Sequence, residues 1–180
     1  FGGPDRADEN FTIIQKAINY SMTSIFTTGG IRGNKKGMEK FHPRSFNMGF
    51  SKEVFHETGG FSTMRFGEDV DLSIRIFKAG FKVQLIESAF VYHKRRTSFK
   101  QFFKQVYNSG IARINLFKLH PQSLKLVHFL PSIFLVGVVF TLILSFVNIL
   151  FLIPSLLFIF LIFIDSSLKY KDISVGLLSV

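Results

Sequence analysis

The densest group of chemically useful side chains in this sequence is the acidic run Gly67–Leu72, in which Glu68, Asp69 and Asp71 supply three carboxylates. The rest of the chain is strongly basic, with a formal net charge of +10. Carboxylates in the first turn of a helix offset its dipole, and an ionised carboxylate can also act as a general base. The run is therefore open to two interpretations, a helix start or a catalytic group.

Short helices and strands are predicted around this run, and they would hold it in place. Apolar spacing predicts a helix over 70–79, in which Asp71 can pair with Arg75 four residues on. A helix is predicted over 51–58, because Ser51 can cap its start and the glycine pair Gly59 and Gly60 ends it. Alternating residues predict a strand over 81–86, and a shorter one is expected over 89–92. Together with a helix over 11–28, this order predicts an α/β domain.

A glycine-rich basic segment lies between the first helix and the acidic run, over residues 29–37. Backbone amides and cations in such a loop could bind phosphate. The glycine spacing matches no phosphate-binding loop, and a solvated loop is the simpler interpretation.

The C-terminal half of the chain is apolar, without a charged side chain between Leu126 and Ile164. As one helix that stretch would be nearly 60 Å long, about twice the hydrocarbon thickness of a bilayer. We therefore predict two membrane-crossing helices, Leu130–Phe146 and Ile149–Ile164. A buried helical hairpin in a soluble protein is the alternative. A third apolar segment begins at Ile173.

The positive charge is concentrated beside these helices. No carboxylate occurs between Glu87 and Asp165, whereas basic residues precede the first predicted span, and Lys169 and Lys171 follow the second. Lysine and arginine next to membrane spans mark the cytoplasmic side. We therefore expect a multi-pass protein of the inner (plasma) membrane with both hairpin ends in the cytoplasm. Nucleic-acid binding is disfavoured because these charges adjoin a membrane segment.

Residues 99–125 are predicted to be an amphipathic helical region. Phe99, Phe103 and Tyr107 recur at helical spacing on one face, and Lys100 and Lys104 lie on the other. Such a helix can lie on an anionic membrane surface. It can also pack on the domain core. Its position just before the first span favours the membrane, with lipids as partners.

Read together, the residues from 47 to 93 resemble the second half of a family 2 glycosyltransferase domain, which has the GT-A fold. The resemblance rests on the order and spacing of four short groups, and it covers about fifty residues. These groups are Asn47–Phe50, Gly59–Phe61, Gly67–Arg75 with Ala79–Phe81, and Val91–His93.

The resemblance implies an inverting glycosyltransferase that moves a sugar from a nucleotide-sugar donor to an acceptor hydroxyl. It implies that Asp69 is the general base, with Glu68 supporting it or binding acceptor hydroxyls. Asn47 is expected to bind substrate, and Asp71 is expected to be structural. The resemblance leaves the acceptor open, with a lipid-linked molecule as one candidate and cell-envelope polysaccharide synthesis as the expected context.

The resemblance also implies a divalent cation, Mg²⁺ or Mn²⁺, that assists the departing diphosphate. Its main ligands, an Asp-x-Asp pair, are expected upstream of this fragment, because Asp5 and Asp8 are spaced three apart. His93 is a candidate further ligand, with a hydrogen-bonded loop residue as its alternative. Arg95 and Arg96 could contact the diphosphate or, equally, lipid headgroups.

One departure from the family matters for the kind of enzyme. Processive synthases carry Gln-x-x-Arg-Trp on an interfacial helix, but Gln105 is followed by Val106–Gly110 and the chain has no tryptophan. Transfer of single sugars at the cytoplasmic face is therefore expected. The rival hypothesis is a non-catalytic membrane adaptor that binds anionic lipid.

The domain prediction divides the chain into four parts. Residues 1–98 are the C-terminal half of a GT-A catalytic domain, and residues 99–125 are the interfacial region. Residues 126–164 hold the two spans, and residues 165–180 are a cytoplasmic loop with the start of a further apolar segment. The fragment alone is expected to be inactive.

Overall fold

The computed structural model describes residues 1–28 and 41–180 and is mainly helical. The predicted phosphate-binding or solvated loop over 29–37 lies outside the described residues. The helices are α1 (Ile13–Thr23), α2 (Ile25–Thr28), α3 (Lys52–Thr58), α4 (Glu68–Lys78), α5 (Phe99–Leu119), α6 (Leu130–Ser145), α7 (Ile153–Tyr170) and α8 (Ile173–Ser179). The strands are β1 (Asp5–Arg6) and β2 (Val91–Tyr92).

The two strands form a small parallel sheet, in which Asp5 pairs with Val91 and Arg6 with Tyr92. The predicted strand over 89–92 is therefore present in its second half. The predicted strand over 81–86 is wrong: the segment is extended, with one isolated bridge between Gly2 and Leu85. Alternation of apolar and polar residues favours an extended backbone. A β-strand also needs a neighbouring strand that hydrogen-bonds to it along its length.

The helices beside the acidic run follow their sequence signals closely. Ser51 caps α3 by accepting the Val54 amide, and Gly59 ends it in the left-handed conformation. α4 begins two residues before the predicted start and ends before Gly80, which has φ of 85°. The buried residues Val54, Leu72 and Ile76 form the core between these two helices.

The predicted helix over 11–28 is divided into α1 and α2, because Ser24 has extended backbone angles. Thr12 and Gln15 form a capping box at the start of α1. Its buried face packs against α7 and α8 at the other end of the chain. Tyr20 Oη donates to Asp165 at 2.7 Å, and Asn19 Nδ2 donates to Tyr170 Oη at 2.7 Å.

The predicted apolar hairpin is formed by α6 and α7. Two stretches, Leu126–Ser145 and Ile149–Tyr170, are long and apolar enough to cross a membrane. Among the 18 most apolar consecutive residues of each stretch, 0% and 11% are buried. This exposure does not favour a buried core hairpin. Proline stands in the first turn of each helix, where its missing amide costs least.

The second helix continues past its predicted end at Ile164, as far as Tyr170. This polar extension is held by the contacts with α1 described above. The short helix α8 then folds back onto α7 and α1 instead of extending away from them.

α5 buries one face and exposes the opposite one. Ala112 and Leu116 are 8% and 1% exposed, whereas Phe103 and Tyr107 are 74% and 63% exposed. Ile111 and Ile114 continue the exposed side. The helix therefore packs on the domain, as one interpretation predicts, and it also presents an uncovered apolar stripe. Binding of that stripe to a membrane surface stays a prediction.

Candidate active site

Asp69 lies in the first turn of α4 and is largely buried, with 8% of its surface exposed. Its Oδ1 accepts the Val70 amide at 2.8 Å, and its Oδ2 lies 3.6 Å from Arg44 Nη1. Glu68, the first residue of the helix, is partly exposed. The helix N-terminus and an arginine thus both lie beside the Asp69 carboxylate and place positive potential on it.

The glycine before this turn allows α5 to approach it. Gly67 has φ of 82°, a left-handed conformation that glycine adopts without strain. A side chain there would also meet Ala112 Cβ at 3.2 Å and Leu116 Cδ1 at 3.3 Å. The acidic run is therefore held directly against the buried face of α5.

Asp71 has a structural position, as predicted. Its Oδ2 forms an ion pair with Arg75 at 2.9 Å, and its Oδ1 lies 2.8 Å from His120 Nε2. Arg75 also donates to the carbonyl oxygens of Thr58 and Gly60. Burial acts to raise the pKa of Asp71, but the hydrogen bonds from His120 and Arg75 outweigh it and hold that pKa below its usual range.

Asn47 and its neighbour Phe46 contact the residues on either side of β2. Asn47 Nδ2 donates to the Ala89 carbonyl oxygen at 2.7 Å. The His93 ring stacks on Phe46, with ring centroids 4.2 Å apart. The turn Ser45–Asn47 therefore connects Arg44, beside Asp69, with the end of β2.

The two predicted diphosphate-binding arginines have different surroundings. Arg95 is buried, with its Nη1 2.7 Å from Asp5 and its Nε 2.9 Å from Asn19 Oδ1. It joins β1 to α1, and a role toward a diphosphate stays a prediction. Arg96 is exposed and donates from Nε to Gln105 Oε1 at 3.1 Å.

The predicted metal ligand does not lie within a set of donors. In residues 1–28 and 41–180, no three side chains from histidine, aspartate and glutamate come together to hold a metal ion. His93 Nδ1 lies 3.4 Å from Arg95 Nη1, a cationic neighbour that disfavours a bound cation. The described residues therefore do not by themselves fit the implied divalent cation.

Sequence reasoning missed a set of basic groups whose charges act on His42. His42 interacts electrostatically with Arg44, Arg113, Lys125 and Asp69. Burial, with the repulsion of the three cations, lowers its pKa to about 4, so this histidine is neutral at pH 7. Burial and repulsion by Arg44 likewise lower the pKa of Arg113. These residues lie far apart in the sequence, and no local pattern connects them.

The sequence profile of the glycosyl transferase family group 2 matches residues 43–164. The matched segment includes the acidic run, α5, all of α6, and α7 as far as Ile164. The chain belongs to this glycosyltransferase family. No curated protein and no solved structure matched the chain significantly.

Proposed function

We propose that this chain carries the acceptor side of an inverting glycosyltransferase site, with Asp69 as the general base. The observation that carries the proposal is the Asp69 carboxylate itself. It is largely buried at the start of α4, with the Val70 amide donating to one of its oxygens and Arg44 3.6 Å from the other. The chain's membership of a glycosyltransferase family supplies the class of reaction.

In the proposed reaction, Asp69 removes the proton of the acceptor hydroxyl as that oxygen attacks the anomeric carbon of the donor sugar. The bond from the anomeric carbon to the nucleoside diphosphate breaks on the opposite face, which inverts the configuration. The diphosphate leaves with the electron pair of that bond. A base in this role must be ionised before the reaction and must reach the hydroxyl proton.

The other predicted site residues have supporting roles in this proposal. Glu68 lies one residue before the base and is accessible to acceptor hydroxyls. Asn47 and Arg96 bind substrate, and His93 directly follows β2. A divalent cation would neutralise charge on the departing diphosphate, but the described residues supply no ligand set for it.

We also propose that the protein works at the cytoplasmic face of the inner membrane. The helices α6 and α7 would cross the bilayer, and the exposed apolar stripe of α5 would lie in its interface. Lys100, Lys104 and Lys118 flank that stripe and would attract anionic lipids. A membrane-bound acceptor, such as a lipid-linked molecule, and transfer of one sugar at a time fit this arrangement.

The substitution Asp69→Asn tests the catalytic assignment. Asparagine keeps an oxygen for the Val70 amide but cannot take up a proton at the working pH. In the full-length protein, we expect sugar transfer to fall about 10²- to 10⁴-fold. Donor binding and membrane association should stay unchanged.

The matched control is Glu53→Gln, which removes a carboxylate from the start of the neighbouring helix α3 at an exposed position. It should leave transfer at the level of the unmodified protein. Full transfer by the Asp69→Asn protein would overturn the assignment. Absence of transfer even in the unmodified protein, with lipid binding retained, would instead favour the non-catalytic adaptor.

A further inference from the structure

Helix α5 contacts the acidic run on both sides of Asp69. Two residues before Asp69, Gly67 lies against the buried face of α5. Two residues after it, Asp71 Oδ1 lies 2.8 Å from Nε2 of His120, the residue that caps the C-terminus of α5. The proposed base therefore stands between two contacts with the same neighbouring helix.

The contact between His120 and Asp71 is buried. The two side chains are 10% and 4% exposed, so water competes little for the bond between them. Loss of such a bond leaves a buried carboxylate oxygen without its partner, which is unfavourable. His120 is itself fixed, because its amide donates to the Leu116 carbonyl oxygen at 2.7 Å. The imidazole therefore joins a rigid end of α5 to the first turn of α4.

Lys78, in the last turn of α4, determines which ring nitrogen of His120 carries the proton. Its Nζ lies 3.0 Å from His120 Nδ1. A lysine ammonium group only donates hydrogen bonds, so Nδ1 is the acceptor of this one. The ring proton is then on Nε2, which donates it in the hydrogen bond to Asp71. Helix α4 thus binds the imidazole at both ends, through Lys78 in its last turn and Asp71 in its first.

The second partner of Asp71 connects the same turn with α3. Arg75 binds Asp71 Oδ2 at 2.9 Å and also donates to the carbonyl oxygen of Gly60, which follows α3. Positions two apart on an α-helix are separated by about 200° around its axis, so Asp69 and Asp71 lie on opposite sides of α4. The network around Asp71 therefore holds the turn without using the Asp69 carboxylate.

We propose that His120 is a positioning residue for the proposed base. It acts through Asp71: by holding the first turn of α4 against α5, it fixes where the Asp69 carboxylate stands relative to the acceptor hydroxyl. The inference rests on the proposed function and deepens it, because it names a residue that sets the geometry of that site. Proton removal depends steeply on alignment, and a displacement of about 1 Å caused by a distant substitution can slow a reaction about 100-fold.

The first measurement follows the reactivity of the Asp69 carboxylate with a water-soluble carbodiimide and glycine ethyl ester. The full-length protein is labelled in non-ionic detergent, and tandem mass spectrometry resolves Asp69 from the neighbouring carboxylates. The exposed Glu53 is the internal reference. In the His120→Ala protein the first turn of α4 loses one anchor and opens more often, so the relative rate at Asp69 should rise about threefold or more.

Two variants separate positioning from a general loss of stability. His120→Gln keeps an amide N–H that can donate to Asp71, so it should label Asp69 nearly as slowly as the unmodified protein. Gly176→Ala crowds the contact of α8 with α7, outside this network, and should leave the relative rate at Asp69 unchanged. An equal rise in the Gly176→Ala protein would overturn the proposal, because loss of stability alone would then explain the labelling.

Lys78→Met provides a second test, which does not depend on the folding of the His120→Ala protein. Lys78 is exposed, so its replacement spares the core. Without the ammonium group, nothing holds His120 in the tautomer that donates to Asp71, and labelling of Asp69 should rise by a smaller factor. The matched control is Lys52→Met, at an exposed position on α3. Unchanged labelling in Lys78→Met and in any folded His120→Ala protein would overturn the proposal.

A second measurement connects this position with turnover. Release of nucleoside diphosphate from UDP-, GDP- and dTDP-sugars, tested one at a time, is followed for the full-length protein in native membrane vesicles. A positioning residue acts on the transition state, so His120→Ala should lower kcat about tenfold or more and change the KM for the donor little. The Gly176→Ala protein should keep the kcat of the unmodified protein.

The outcome is separable from that of the proposed function. If Asp69→Asn retains turnover, the base assignment is wrong, and the labelling still decides whether His120 holds the first turn of α4. If Asp69→Asn abolishes turnover while His120→Ala changes neither the labelling nor kcat, the base assignment stands and the positioning role of His120 is wrong.

Discussion

Asp69 and Asp71 are separated by one residue, but their surroundings are different. Asp71 is enclosed by Arg75 and His120, both within 3 Å of its oxygens. Asp69 has one backbone hydrogen bond and a longer ion pair with Arg44. A carboxylate whose oxygens are engaged by two side chains suits a structural role, and one with a loosely held oxygen suits proton transfer.

The contact between His120 and Asp71 gives a prediction about stability. His120→Ala would leave the buried Asp71 carboxylate with one partner fewer, and it would also remove the contact of 3.0 Å between His120 Nδ1 and Lys78 Nζ. We expect the free energy of unfolding to fall by about 1–3 kcal/mol. Thermal unfolding in non-ionic detergent, followed by circular dichroism, measures this change.

His56→Ala is the matched control for that substitution, because His56 is an exposed histidine on α3. Its replacement should change the midpoint of unfolding little. Equal midpoints for the two variants would mean that His120 does not stabilise the acidic run.

The sequence could predict only the local part of this residue network. The pair of Asp71 and Arg75 follows from their spacing of four on a helix. The contact of His120 with Asp71 joins residues 49 positions apart, and it depends on how α5 packs. Arg44 could not be predicted for the same reason, since it reaches Asp69 through tertiary structure and not through sequence spacing.

At the scale of elements, the predictable features were those with local causes. The limits of α3 and α4 follow from capping residues and glycines that act within a few positions. The strand over 81–86 failed because a strand depends on a partner elsewhere in the chain. For α5, the spacing of the apolar residues predicts the helix. Only the packing shows that Ala112 and Leu116 lie on its buried face.

The packing of α8 on α7 gives a prediction at this scale. A Cβ at Gly176 would collide with Ser167 Oγ and lie 2.9 Å from the Phe163 carbonyl oxygen. Gly176→Ala should therefore lower the midpoint of thermal unfolding, because α8 would have to move away from α7. Overpacking of this kind typically costs about 1–3 kcal/mol.

Gly137→Ala is the control for this substitution. Gly137 is also inside a helix, but no atom lies within 4 Å of the Cβ it would gain. Alanine favours a helix over glycine by up to about 1 kcal/mol, so this variant should be as stable as the unmodified protein or more so. If both variants shift the midpoint in the same direction, the close contact at Gly176 has no influence on stability.

At the scale of the whole molecule, hydrogen bonds connect the candidate active site with the end of the apolar hairpin. Both regions therefore lie on the same side of any membrane that α6 and α7 cross. α1 contacts the end of α7 through the hydrogen bonds from Tyr20 to Asp165 and from Asn19 to Tyr170. α1 is in turn joined to the end of β2 through Arg95, which bonds Asn19. If α6 and α7 cross a membrane, the residues around Asp69 and the residues after Tyr170 must therefore share one compartment.

Cysteine labelling in intact cells tests this arrangement, since the 180 residues contain no cysteine. Single cysteines would replace Lys52 on α3, Val147 between α6 and α7, and Lys171 after α7, all of which are exposed. A membrane-impermeant maleimide should label only the Val147→Cys protein in intact cells. The other two should react only after the cells are permeabilised.

Each departure from that pattern has a separate meaning, because the three positions test different parts of the argument. Labelling of Lys52→Cys and Lys171→Cys from outside, with Val147→Cys protected, would keep the hairpin and reverse its orientation. Equal accessibility at all three would mean that the hairpin does not cross the membrane. Opposite sides for Lys52 and Lys171 would contradict the packing of α1 on the end of α7, which requires these two residues to share a compartment.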